Sequence, residues 1–115
     1  MAKPVLVVVD DEEVSRRALA EELESRYGSQ YQIVSAGSAD AALARLEELT
    51  AQGVDVPLVL ADQWMPGMTG AQFLARVKQV ISTARRGLLI SWADRSAVGA
   101  DLGGRCLGMA GVLRC

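Results

Sequence analysis

Histidine is absent from this 115-residue chain, which removes the commonest neutral-pH acid–base group and the commonest metal ligand. Any metal site must therefore be made of oxygens, and oxygens suit a hard cation. Cysteine is confined to Cys106 and Cys115. Two thiols near one end make no disulfide framework, so a reduced, cytoplasmic protein is expected. Lysine occurs twice, at Lys3 and Lys78. The net charge of -2 supplies no basic face, so nucleic acid is not an expected partner. No apolar run approaches the roughly 20 residues a bilayer demands, and the N-terminus has no secretory pattern. No membrane association is expected.

What is present is an alternation. Val5-Leu6-Val7-Val8-Val9 is a continuous apolar, mostly β-branched run, the pattern of a strand buried on both faces. A helical stretch follows to about Tyr27, with Val14, Ala18, Leu19 and Leu23 assigned to its inner face and Gly28 as its stop. Tyr31 to Ala36 reads as a second strand, and Ser38 caps a helix that turns Ala39, Ala42, Leu43, Leu46 and Leu49 inward. Val56 to Ala61 is the third strand. Gly70 to Ser82 is the third helix, with Phe73, Leu74, Val77, Val80 and Ile81 as its apolar face. Gly87 to Ile90 is the fourth strand, with Asp94 a cap beyond it. Parallel strands need crossover helices. The expected fold is therefore α/β, a flavodoxin-like doubly wound parallel sheet in the order 2-1-3-4-5, forming one domain over 1–115. From 99 to 115 the pattern fails: five of the eleven glycines fall there, and only 108–113 could form a fifth strand. The last strand and helix are thus degenerate or missing.

Strands of a parallel sheet end on one side, so Asp10 and Asp11 after strand one should meet Asp62 after strand three. Clustered carboxylates repel unless a cation neutralises them. Mg2+ fits, since it takes a few carboxylates and keeps several waters. An aspartate beside Mg2+ is also a competent phosphoryl acceptor. Taken singly, each acid could instead be a helix cap or a favourable charge at a helix start. Their joint placement at the ends of strands one and three favours a functional pocket.

These residues carry a resemblance. The segment Val5 to Glu13 resembles the first strand and acidic pair of the receiver domain of two-component response regulators. Ala61-Asp62-Gln63-Trp64-Met65-Pro66-Gly67-Met68-Thr69-Gly70 resembles its phosphoacceptor motif. The likeness runs from residue 3 to about 96. It implies that Asp62 accepts a phosphoryl group, with Mg2+, from a histidine kinase or phosphotransfer protein. Asp11 and Asp62 would bind the metal directly, Asp10 through water, and the Trp64 carbonyl would complete the protein ligands. Pro66 and Gly70 would shape the loop, and the Trp64 indole would shield the acyl phosphate from water. Such a chain is a signalling acceptor, not an enzyme acting on other substrates.

The likeness breaks in two places. Receivers end strand four in Ser or Thr. The ungapped position here is Ile90, and one bulge would bring the Ser91 hydroxyl into place, unless that hydroxyl serves only the backbone. Receivers also end strand five in a lysine. Neither Lys3 nor Lys78 lies at that end of the sheet, and the tail cations Arg105 and Arg114 are no equivalent of a compact ammonium. A shifted reading frame, a lost segment or divergence would each produce this edge. A lysine-less pseudo-receiver, binding partners constitutively, is the alternative function. A missing fifth strand would expose strand four, so self-association as a homodimer is expected, by strand exchange or by pairing of helix-four surfaces. A haloacid dehalogenase-type phosphatase fits poorly, because its strand one ends in Asp-any-Asp where this chain has Asp10-Asp11-Glu12. A flavodoxin-like nucleotide binder would need a glycine-rich phosphate loop, which does not follow strand one.

Overall fold

The computed structural model describes residues 3–89, together with the backbone of 107–109 and 112–114. Its elements run β1 (Val5–Val9), α1 (Glu13–Tyr27), β2 (Gln32–Ala36), α2 (Ala39–Ala51), β3 (Leu58–Asp62), α3 (Gly70–Val80), β4 (Arg85–Leu89), β5 (Leu107–Met109) and β6 (Val112–Arg114). The first four strands pair in parallel in the order β2-β1-β3-β4, as the crossover helices require. In register, Val9 lies beside both Ala36 and Ala61, so β1 and β3 end level and deliver their following residues to one edge.

The hydrophobic core occupies one face of this sheet. Val5, Val7 and Val9 of β1 join Val59 and Ala61 of β3 and Leu88 of β4. Against them pack Ala42, Leu46 and Leu49 of α2 and Phe73, Leu74 and Val77 of α3. Ser38 caps α2 by accepting the Ala41 N–H at 3.1 Å, and Thr69 with Gln72 forms a reciprocal capping box at α3. Both helices therefore begin where side-chain oxygens satisfy otherwise unpaired amides.

The opposite face is covered differently from expectation. The assignment of Val14 and Ala18 to the inner face of α1 is incorrect: both are exposed, Val14 at 75%. No α1 residue is fully buried. Arg16, Leu19, Ala20 and Leu23 are half-buried, spaced as one helical face. Val14 precedes Leu23 by nine residues, which places it about half a turn away around the helix.

The fifth position in the sheet also differs. The weak strand expected over 108–113 is two short strands. β6 pairs antiparallel with β4, Leu88 beside Leu113, and β5 pairs antiparallel with β6. With only two residues between them, β5 and β6 cannot make a parallel crossover. The β4 edge is thus covered over Gly87 to Leu89, so strand exchange there would have to displace β6. Ile90, Ser91 and Asp94 lie outside the described residues. Among those described, no helix is long and apolar enough to cross a membrane.

Candidate phosphoacceptor and metal site

The level ends of β1 and β3 bring three carboxylates together. Asp10, Asp11 and Asp62 each offer an oxygen, and these oxygens lie within 4.8 Å of one another. They are graded in exposure: Asp10 is buried, Asp62 half-buried and Asp11 exposed. The pocket is therefore anchored at its floor and open to solvent at its rim.

Each acid is held by its own local structure. Asp10 Oδ1 accepts the Glu12 N–H at 3.0 Å, fixing one oxygen in a tight turn. The Asp10 carbonyl accepts from Arg16 Nη1 at 2.8 Å, so the first turn of α1 reaches back to the strand end. That guanidinium lies against Gly37, where an added Cβ would meet Arg16 Nη1 at 3.0 Å. Arg16 was not singled out from the sequence. Its place six residues after Asp10 puts it one and a half turns along the connection, where only three-dimensional contact reveals the role.

Asp62 ends β3, and the chain then turns sharply. Gly67 follows Pro66 with a φ of +80°, the value a type II turn asks of its third residue. Gly70 starts α3 so close to β3 that an added Cβ would collide with the Asp62 carbonyl and lie 2.7 Å from Leu88 Cδ1. Glycine is thus required where helix and strand touch. Trp64, between Asp62 and the turn, is 48% exposed, so its indole lies open to solvent beside the acids. Gln63, adjacent to Asp62, is completely buried. Its importance was also missed, although the buried parity of Val59 and Ala61 continues to position 63 and flags any polar residue there as bonded.

The electrostatics favour a cation. Asp62 is pushed up to about 6 by burial first, then by repulsion from Asp10 and Asp11, against the pull of the Gln63 and Trp64 backbone amides. An all-oxygen, histidine-free set of three acids, with Asp62 raised in part by the other two, is the donor set a hard divalent ion relieves. Among the described residues, neither lysine is part of this pocket. Lys3 Nζ donates to the Gly28 carbonyl at 3.0 Å, and Lys78 lies in the last turn of α3. Ser91 is outside the described residues.

Comparison with known proteins agrees with this geometry. The model of the response regulator receiver domain matches residues 6–100. The two-component response regulator ORR6 of Oryza sativa subsp. japonica is 40% identical over 76 residues, covering 64% of this chain and 41% of the relative. The chain spans about half the length of the curated relatives it matches. Response regulator protein TrrA of Thermotoga maritima, in complex with Mg2+-BeF, is 28% identical with a TM-score of 0.66, over 84% of this chain and 78% of that one. The complex of histidine kinase ThkA with TrrA also matches, at 28% identity and a TM-score of 0.62, over 77% of this chain and 70% of that one. With a parallel 2-1-3-4 sheet, an acid ending β3 and an acid pair ending β1, this chain belongs to the response regulator receiver domain family.

Proposed function

We propose that Asp62 accepts a phosphoryl group from the phosphohistidine of a kinase or phosphotransfer protein, with Mg2+ bound by Asp10, Asp11, Asp62 and the Trp64 carbonyl. The observation that carries this reading is the convergence of three carboxylates within 4.8 Å at the sheet edge. The matching structure of TrrA with Mg2+-BeF and that of the ThkA–TrrA pair support the cofactor and the class of partner.

In this reading an Asp62 carboxylate oxygen attacks phosphorus, the phosphorus–nitrogen bond breaks, and the departing imidazole of the donor takes up a proton. When bound, Mg2+ supplies charge neutralisation at the transferring oxygens. Asp10 holds the floor of the pocket through its tie to the Glu12 N–H. Asp62 must be ionised to attack, and its raised pKa makes attack depend on the cation's charge. The exposed Trp64 indole covers the product and slows attack by water. The chain acts as an acceptor, not as an enzyme turning over other substrates.

Incubating the protein with Mg2+ and a small-molecule phosphodonor tests the proposal. Wild type should gain one phosphoryl group by intact mass, and Asp62→Asn none. Incorporation that persists in Asp62→Asn refutes the acceptor assignment. A constitutive, lysine-less binding module would instead show neither incorporation nor Mg2+ binding. That reading leaves the three clustered acids without a purpose.

A further inference from the structure

Gln63 has no exposed surface, and it is flanked in sequence by Asp62 and Trp64, both assigned to the metal. Hydrogen bonds spread from it to two neighbouring elements. Its backbone N–H donates to the Leu89 carbonyl at 3.1 Å, at the end of β4. Its backbone carbonyl accepts the Gly70 N–H at 2.9 Å. Its side-chain Oε1 accepts the Ala71 N–H at 2.9 Å. Gly70 and Ala71 are the first two residues of α3, whose amides have no acceptor within the helix. The Thr69 hydroxyl accepts from the next amide, that of Gln72, and its carbonyl from Phe73, so neither reaches Gly70 or Ala71. The loop 64–69 is therefore closed at its base by a single residue that also grips the neighbouring strand.

An apolar side chain would pack at this position without the desolvation cost of an amide. Val59 and Ala61, on the same face of the strand, do so. The buried amide is explained by what it aligns. We propose that Gln63 is the positioning residue of the metal site: by clamping the first turn of α3 and the end of β4 to the acceptor strand, it sets the Trp64 carbonyl and the Asp62 carboxylate at the separation a cation needs. It touches neither metal nor phosphate. The proposal rests on the metal reading above.

Groups that orient metal ligands typically govern affinity about 10- to 100-fold. Titration of the full chain with MgCl2 alone, followed by calorimetry, is the test. Gln63→Met, similar in volume but without the acceptor, should bind Mg2+ about tenfold or more weakly. Leu46→Ala, a core truncation on α2 away from the site, should lower the urea midpoint yet leave the Mg2+ affinity unchanged. That contrast separates positioning from general destabilisation. If Gln63→Met does not fold, Gln63→Asn, too short to reach Ala71, is read in the same way. Wild type that binds no Mg2+ overturns both readings. Wild type that binds while Gln63→Met keeps the same affinity overturns the role of Gln63 alone.

Discussion

Removing the charge of Asp62 should stabilise the metal-free protein at neutral pH. Asp62 titrates at about 6, against 3.8 for an ordinary aspartate, so its ionised form is the unfavourable one in the fold. The free energy that separates those two values sets a ceiling of about 3 kcal/mol. Asp62 is only half-buried, and solvent screening reduces that ceiling to about 1 kcal/mol. The sign follows from proton linkage. With its pKa raised on folding, the native state holds the proton more tightly between about pH 4 and pH 6, so stability falls as pH rises through that window. Asp62→Asn cannot titrate and escapes the loss. In urea melts with EDTA, the two proteins should have similar midpoints near pH 4. Near pH 7 the variant should melt about 0.5 M later, for a slope of about 2 kcal/mol/M. Saturating Mg2+ should reverse the order, because binding at 100 times Kd adds about 2.7 kcal/mol to wild type alone. A variant less stable than wild type at pH 7 in EDTA, or a difference that ignores pH, would refute the electrostatic account of the pocket.

Other outcomes follow from neighbouring contacts. Gly70→Ala forces a methyl into the Asp62 carbonyl and Leu88 and should cost about 2 kcal/mol by overpacking, read from the urea midpoint. Trp64→Ala should leave stability within about 0.5 kcal/mol, as a change on an exposed surface does, yet shorten the lifetime of the acyl phosphate measured by intact mass; an unchanged lifetime removes the shielding role of the indole. Phe73→Ala empties a fully buried site between α3 and the sheet and should cost about 3–5 kcal/mol. A loss under 1 kcal/mol in thermal or urea unfolding would show that the core closes around the gap.

Much of this architecture was legible because β1 and the acids speak in strong terms. Five consecutive apolar residues mark a doubly covered strand, and acids at the ends of β1 and β3 mark one sheet edge. Helix α1 was misread because its apolar residues do not share one face. Leu19 and Leu23 face the sheet while Val14 faces water, so apolar residue count misled where helical phase decided. The start of β4 was missed because Arg85 and Arg86 read as loop. In the fold they pair with Leu58 and Val59, and Arg86 Nη1 donates to the Leu74 carbonyl of α3 at 3.1 Å. At the site, carboxylates announce themselves by type. Gln63 and Arg16 act through backbone groups of residues 6 to 26 positions away, or through their immediate neighbours, and such bonds appear only once the chain is folded.

The shallow seating of α1 gives the molecule two grades of cohesion. The α2–α3 side carries the continuous core, while α1 contributes no fully buried residue, so its amides should exchange with solvent before those of α2 and α3. Yet the same helix begins with the Glu12 N–H and Arg16 guanidinium that hold Asp10. A helix with no fully buried side chain thus borders the acidic pocket. By linkage, an ion that binds the pocket more tightly when α1 is seated would favour the seated helix to the same degree.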